Sequence, residues 1–265
     1  MTIAEIIGYF GAIIIGFVLG LLGGGGSILS IPILVYLFKI EPETAGAYSL
    51  FIVGVTSFVG AIPKYKQQLV HLKTGIIFGL PSIISIFITR SLIVPAIPDE
   101  LFYIGGFMVT KRMLLLGLFA ILMVLASIPM IRGKRDIASN NKKFRTVLVV
   151  FEGILIGFLT GLVGAGGGFL IIPALVFLTG LQFKTAVGTS LFIISINSLS
   201  GFLGDALHRE MNWPLLLSLT ALAILGILVG NQFSKKMSGI RLRMAFGWLT
   251  LCVGLYVLLR EALLP

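Results

Sequence analysis

The sequence predicts an all-α integral membrane protein made of two related halves, and three observations lead to this fold class. Apolar residues make up 57% of the 265 residues and charged residues only 11%, whereas soluble domains carry about 25% charged residues. Continuous apolar runs of about 20 residues recur along the chain, which is the length that an α-helix needs to cross a bilayer. The third observation is an internal repeat of Gly, Pro, Thr and Ser at fixed spacing.

Ten apolar segments follow one another along the chain. Two of them contain only about 12 residues, so as straight helices they would cover about 18 Å and fall short of the hydrocarbon core of about 30 Å. We expect these two to be half-helices and the other segments to be transmembrane helices. In chain order the segments are 3–22, 27–38, 44–62, 74–94, 113–131, 146–163, 168–179, 185–204, 214–231 and 243–260.

The longest polar stretch, residues 132–145, contains six basic residues and one acidic residue. Because basic loops face the cytoplasm, we predict a cytoplasmic linker between a first transmembrane repeat, 1–131, and a second, 146–265. Both termini then lie outside, and corresponding loops of the halves lie on opposite sides, which makes the repeat inverted. This count requires that the short segments complete a crossing. If they were re-entrant, the halves would be parallel.

The internal repeat aligns the halves without a gap over residues 16–60 after a shift of 141 residues. General hydrophobicity does not explain it, because the matched residues include glycine, proline and hydroxyl residues at fixed spacing. We therefore expect the two halves to share one fold. The shift superposes Gly16 on Gly157, Gly20 on Gly161, Gly23 on Gly164, Pro32 on Pro173, Thr44 on Thr185, Ser49 on Ser190 and Ser57 on Ser198.

Each half contains a glycine-rich run, at residues 20–27 and 161–168, just before its short apolar segment. Glycine weakens a helix by about 1 kcal/mol relative to alanine, so we expect the helix to break there and restart. Broken backbone at membrane depth must be buried in protein or line a cavity, and the start of a helix attracts anions. The alternative is that glycines only allow close helix packing, which suits the pairs Gly16 and Gly20, and Gly157 and Gly161.

Two copies of one motif carry a resemblance to a known family. The copies read GFVLGLLGGGGSILSIPILV with TAGAYSLFI, and GFLTGLVGAGGGFLIIPALV with TAVGTSLFI. In this pattern the chain resembles the TauE/SafE sulfite-exporter family over essentially its whole length. The resemblance implies a transporter for a small sulfur-containing anion such as sulfite or an organosulfonate. The copies differ where Tyr48 corresponds to Thr189 and Gly46-Ala47 to Val187-Gly188, so a site lined by both would not be symmetric.

The candidate substrate-binding residues are backbone donors at the glycine-rich runs and neutral side chains on the segments that follow. Neutral groups suit an anion that must also be released. Glu152, an acidic residue inside an apolar run, is a candidate for proton coupling, although it could instead pair with the basic linker. The substrate-binding candidates are Gly23, Gly24, Gly25, Gly26, Ser27, Thr44, Ser49, Gly164, Gly166, Gly167, Gly168, Thr185, Thr189, Ser190 and Asn197.

Other polar residues receive structural interpretations. We expect Arg90, Lys64 and Asp205, at segment ends, to extend to the lipid headgroups. His71 and His208 are read as solvated loop residues, and Cys252 as a small buried residue. With no metal-ligand spacing beside the histidines, we predict no metal and no cofactor. The formal net charge of +10 resides largely in short loops, which indicates contact with a lipid bilayer rather than nucleic acid.

The sequence thus predicts a multi-pass plasma-membrane protein that moves a small anion by alternating access around a site near the midplane, and the resemblance implies that it exports a sulfur-containing anion. An anion channel on the same scaffold is the first alternative. A membrane enzyme or assembly factor is the second, but no HExxH motif, pair of intramembrane carboxylates or nucleophile beside a base is present, so we predict no enzymatic activity. The sequence does not decide between a monomer and a homo-oligomer.

Overall fold

The computed structural model describes residues 3–104, 107–132, 142–164, 166–177, 179–207 and 211–263, and it confirms the predicted all-α membrane class. The first half contains α1 (Ile3–Leu22), α2 (Gly25–Tyr36), α3 (Pro42–Lys66), α4 (Leu72–Ile88), a π-helical turn (Thr89–Ile93), α5 (Val94–Ala96), β1 (Glu100–Ile104), β2 (Phe107–Thr110) and α6 (Lys111–Arg132). The second half contains α7 (Lys142–Val163), α8 (Gly168–Phe177), α9 (Phe183–Ala206), α10 (Trp213–Lys236) and α11 (Gly239–Leu263).

Each predicted apolar segment corresponds to one of these helices, and the two short segments form α2 and α8. Several helices extend past the apolar segments, as α3 does by running beyond residue 62 to Lys66, because a spanning helix can continue into the polar headgroup region. Among the described residues, seven helices are long and apolar enough to cross a membrane. The linker predicted at 132–145 lies mostly outside the described residues, so its cytoplasmic location stays a prediction.

A short β-hairpin interrupts the loop that was predicted at 95–112. Strands β1 and β2 pair antiparallel, with Tyr103 opposite Met108 and Glu100 opposite Thr110. The strands are too short to show a clear alternation of polar and apolar residues. A Gly-Gly pair at 105–106 in the sequence is the signal that indicates a hairpin.

The long helices pair mainly across the two halves. Helix α1 packs on α10, and their repeat counterparts α7 and α4 pack on each other in the same way. Both pairs are parallel: a β-carbon at Gly16 would overlap the backbone of Ala223, and one at Gly230 would lie 2.9 Å from the carbonyl carbon of Phe17. Of these two glycines, Gly16 belongs to the repeat, whereas Gly230 stands where the first half has Thr89. The packing role that the sequence suggested for Gly16 therefore has a defined partner in α10.

Helices α3 and α9, which are repeat counterparts, cross at the centre of the bundle. Gly54 faces Leu199 and Gly60 faces Leu191, so the two helices run antiparallel. In each helix 72% of the membrane-spanning residues are buried, against 33–44% in the other spanning helices. Antiparallel contact between equivalent helices is the arrangement expected of a two-fold axis across the bundle, and it favours the predicted inversion.

Helix α2 doubles back along α1, which is the direction that the predicted inverted arrangement requires. A β-carbon at Gly26 would overlap the carbonyl oxygen of Ile15, and one at Gly11 would lie 2.9 Å from Ile33. The chain then enters α3 at the end of the bundle where α1 began, and Ser49 of α3 shares a hydrogen bond of 2.5 Å with Ser30 of α2. Helices α1 and α2 therefore form a hairpin whose tip is the first glycine-rich run.

The α1–α10 interface generates a prediction about stability. Lipid provides no hydrophobic force between helices, so close backbone packing supplies the association energy. Replacing Gly230 by Leu should separate the helices and lower the free energy of unfolding by about 1–3 kcal/mol. The measurement is thermal unfolding in detergent, with Gly117→Leu as the control because a β-carbon at Gly117 meets nothing within 4 Å. Equal stability of the two variants would contradict the interface.

Topology generates a second prediction. Helices α6 and α11 are antiparallel, with Gly247 beside Ile131, so Asp99, before α6, and Ser238, before α11, lie at opposite ends of the bundle. Cys252 is exposed in the structure, so its prediction as a buried residue is wrong, and it is replaced by Ser for this test. In that protein an impermeant maleimide should label Asp99→Cys in intact cells. It should label Ser238→Cys only after permeabilisation. Labelling of Ser238→Cys from outside would reverse the orientation that the charges predict.

Candidate functional site

Both glycine-rich runs break a helix, as the sequence predicts. Helix α1 ends at Leu22 and α2 begins at Gly25, with Gly23 between them at a φ of +82°. Helix α7 ends at Val163 and α8 begins at Gly168, and the intervening Gly164, Gly166 and Gly167 have φ values of +77°, +66° and +68°. Residues with a side chain resist this left-handed region. The glycines therefore determine where the chain turns within the bundle.

The two breaks meet at Gly24 and Gly168. A β-carbon at Gly24 would overlap the carbonyl oxygen of Gly168, and one at Gly168 would lie 2.6 Å from the α-carbon of Gly24. The short helices α2 and α8 thus begin beside each other. Gly24, the N-cap of α2, has no side chain that could bond the free backbone N–H groups. The starts of two helices, each with a partial positive charge, converge on one region.

Hydroxyl groups of α9 lie beside both breaks. A β-carbon at Gly166 would come within 2.8 Å of the Ser198 Oγ atom, and one at Gly23 within 3.1 Å of the Ser190 Oγ atom. Both serines are fully buried. The structure therefore brings Ser190 to the first break, as the sequence predicts, and adds Ser198 at the second.

Four buried polar side chains, which we call the polar cluster, lie on α3 and α9 near the point where these helices cross. The cluster consists of Thr56 and Ser57 with their repeat counterparts Asn197 and Ser198, and each is at most 1% exposed. Asn197 donates a hydrogen bond of 2.6 Å from Nδ2 to the Ser82 Oγ atom. Within the described part of the chain, the other Asn197 amide atom and the three hydroxyls make no hydrogen bond. Because buried polar groups are normally bonded, these four atoms are available to a bound polar ligand.

Several predicted site residues bond within the protein instead. The Ser27 hydroxyl donates to the Gly24 carbonyl at 2.7 Å, and the Ser190 hydroxyl donates to the Val187 carbonyl at 2.8 Å. The Thr189 hydroxyl accepts a hydrogen bond of 2.9 Å from the His71 backbone N–H. His71 in turn caps α4, so it has a structural role that its reading as a solvated loop residue missed. His208 lies outside the described residues.

Other candidates lie away from the meeting point of the breaks. Gly25 packs against Val18 of α1, and Gly26 lies against the same helix. Thr44 and Thr185 are partly buried in the first turns of α3 and α9. Glu152 precedes Gly164 by 12 residues in α7, a distance of about 18 Å along the helix. The basic linker lies largely outside the described residues, so an ion pair with Glu152 stays a prediction.

Comparison with known proteins assigns the chain to a family. The family model described as "Sulfite exporter TauE/SafE" matches residues 9–257. The chain belongs to the TauE/SafE sulfite exporter family. This membership confirms the resemblance that the two glycine-rich motifs indicated, and it agrees with a multi-pass membrane transporter rather than an enzyme.

Relatives of this TauE/SafE protein extend over nearly its whole length. A "Probable membrane transporter protein" of Xylella fastidiosa strain Temecula1 is 32% identical, over 98% of each chain. The "Probable membrane transporter protein YunE" of Bacillus subtilis is 28% identical, over 85% of this chain and 86% of its own. A similarly named protein of Methanocaldococcus jannaschii is 25% identical, over 93% and 94%. No solved structure matches the chain significantly.

The structure corrects the interpretation of the three charged residues at segment ends. Arg90 and Asp205 are only 1% and 3% exposed and form an ion pair, with 3.4 Å between Nη1 and Oδ2. Lys64 is 3% exposed and donates a hydrogen bond of 3.0 Å to the Ser234 hydroxyl. These side chains therefore point into the bundle rather than to the headgroups. The position of Arg90 inside the apolar segment 74–94 is the sequence signal that deserved a functional reading.

Proposed function

We propose that this TauE/SafE protein is a secondary transporter of the plasma membrane that exports a small sulfur-containing anion, such as sulfite or an organosulfonate. The family and the named membrane transporters among its relatives support transport across a membrane. The substrate class follows from the family description and from the positive character of the two helix starts. The substrate class and the direction of transport are therefore parts of the proposal.

The observation that carries the proposal is the meeting of the two helix breaks beside α9, where Ser190 lies at the first break and Ser198, a member of the polar cluster, lies at the second. An anion placed there would accept hydrogen bonds from the backbone N–H groups at the starts of α2 and α8, from the Ser198 hydroxyl, and from the Asn197 Nδ2 hydrogen that does not bond Ser82. All of these donors are neutral, so they would stabilise the anion without holding it as tightly as a buried cation would. An anion that must leave again requires such moderate binding.

Alternating access would use the two-fold repetition of the bundle. The first break lies beside Val187 and Ser190, near the beginning of α9, and the second lies beside Gly46, near the beginning of α3. Because α3 and α9 run antiparallel, Gly23 and Gly164 lie on opposite sides of the point where the breaks meet, each toward a different end of the bundle. Rocking of one half against the other would therefore open the shared site first to one side and then to the other.

The experiment is transport of radiolabelled sulfite into proteoliposomes that contain the purified protein. We expect saturable uptake that competes with sulfonates and that accumulates sulfite against its gradient when an ion gradient or a counter-anion is supplied. Transport that only dissipates the gradient would indicate a channel on this scaffold. If sulfite, sulfate and sulfonates all failed to move while another anion was transported, the proposed substrate class would be wrong.

The second break generates a prediction about transport. Valine at position 166 would have to adopt a φ of +66° and would displace the Ser198 hydroxyl, so the N–H groups of the break could no longer converge. Gly166→Val should reduce the transport rate by about tenfold or more while the protein still inserts. The control is Gly79→Val, because a β-carbon at Gly79 meets nothing within 4 Å. Equal rates in well-folded samples of both variants would remove the second break from the site.

The polar cluster generates another prediction. Asn197→Leu keeps the approximate volume of the side chain but removes its donor and acceptor. The concentration of sulfite at half-maximal rate should rise by about fivefold or more, because the hydrogen bond that the second Nδ2 hydrogen of Asn197 donates to the charged ligand is lost. The control is Thr250→Val in α11, since Thr250 is equally buried and bonds only the Phe246 carbonyl in the described structure. An unchanged concentration dependence for Asn197→Leu would place the substrate elsewhere.

A further inference from the structure

The Arg90 guanidinium occupies a space that two glycines create beside the second break. A β-carbon at Gly164 or at Gly46 would overlap the Arg90 Nη2 atom. Gly46 stands where the second half has Val187, and Arg90 stands where it has Asn231. At the first break, the Val187 side chain lies 2.8 Å from the position of a Gly23 β-carbon. The symmetry of the repeat is therefore broken at a point where a cation touches one helix break.

A cavity of about 410 Å³ leads from the end of the bundle where α6 begins down to this guanidinium. Lys111 and Glu43 form an ion pair of 2.9 Å in its wall, and Arg90 and Asp205 form the deep end. The distribution of basic residues among the loops predicts that this end of the bundle faces the outside of the cell. The charged groups that line the cavity are the carboxylates of Glu43, Asp99 and Asp205 and the cations of Arg90 and Lys111.

The Arg90–Asp205 pair is suited to exchange one anion for another. Its Nη1–Oδ2 distance of 3.4 Å exceeds the 2.7–2.9 Å that is typical of a charge-assisted hydrogen bond. A guanidinium binds two oxygens of a planar or trigonal oxyanion at once, and sulfite and sulfonates present oxygens in a similar arrangement to a carboxylate. A substrate anion that reached Arg90 could therefore replace the Asp205 carboxylate with little change in geometry.

We propose that Arg90 and Asp205 form the outer gate of the transport pathway. The Asp205 carboxylate pairs with the Arg90 guanidinium when no substrate is present. A substrate anion that arrives from the helix breaks displaces this carboxylate before the anion leaves the protein. Beyond the gate, the described residues that line the cavity carry the carboxylates of Glu43 and Asp99 and the cation of Lys111, so the cavity does not retain the released anion. This inference rests on the proposed function in taking an anion as the cargo, and it adds the residues that bind the anion at the outer end.

The test compares four variants by the concentration of external sulfite that gives half-maximal exchange in proteoliposomes. Asp205→Asn removes the competing carboxylate, so the half-maximal concentration on the outer face should fall by about tenfold while the maximal rate decreases. Arg90→Gln and the double variant Arg90→Gln/Asp205→Asn should raise it by about tenfold or more. The control is Glu261→Gln, because Glu261 forms an ion pair of the same 3.4 Å length with Arg112 and should leave this concentration unchanged.

The double variant keeps the gate testable even if Arg90→Gln alone does not fold. Loss of one partner of a buried ion pair destabilises a protein strongly, whereas removal of both is often neutral, so the double variant should fold even if Arg90→Gln does not. The gate is wrong if folded Asp205→Asn and the double variant both show the concentration dependence of Glu261→Gln. A purely structural ion pair would give that result, with a changed melting temperature alone.

The outcomes also separate the gate from the proposed function. If the wild-type protein transports an anion that contains no sulfur, the substrate class fails, and the same variants test the gate with that anion. If sulfite is transported and the variants do not differ in outer-face affinity, the gate fails and the function stands. If the wild-type protein moves no anion among sulfite, sulfate, sulfonates, carboxylates and chloride, both proposals fall.

Discussion

The structure depends on one constraint: backbone that leaves the helical conformation within a membrane must be enclosed by protein, because lipid cannot bond its N–H and C=O groups. Two glycine-rich breaks violate helical continuity here, and the bundle is arranged around them. Helices α3 and α9 cross over the breaks and are the most buried of the spanning helices. The breaks also touch each other at Gly24 and Gly168, so each encloses part of the other's backbone.

The repeat explains most of the packing around this centre. Pairs of helices recur on both sides of the α3–α9 crossing, and hydrogen bonds recur with them. The Tyr48 hydroxyl accepts a bond of 2.7 Å from the Asn212 N–H, while the corresponding Thr189 hydroxyl accepts one of 2.9 Å from the His71 N–H. The differences between the halves are therefore more informative than their similarities. They place a hydrophobic side chain at the first break and a guanidinium at the second.

The charged groups lie on one side of the neutral groups along the axis of the bundle, and the two sets adjoin at the second break. The centre contains hydroxyls and an amide whose dipoles can solvate an anion, whereas the buried ion pair of Arg90 and Asp205 lies near one end. A buried ion pair is weak evidence for stability, since the desolvation of both groups offsets their attraction. The position of this ion pair beside a helix break is easier to explain by a functional role than by a contribution to stability. This arrangement matches a carrier whose cargo is held loosely at the centre and exchanged at the end.

The sequence by itself determined the membrane class, the positions of the helices and the two breaks, because hydrophobic length and glycine content act locally along the chain. It also placed Ser190 and Asn197 on the central helices through the repeat. It did not determine which polar groups converge, since Ser198 and Gly166 meet only through the packing of α8 on α9, and Gly25 turns back onto α1. Nor did it reveal that Arg90 points inward. An arginine near a helix end can extend to the headgroups or into the bundle, and only the space left by Gly46 and Gly164, with Asp205 across from it, decides between them.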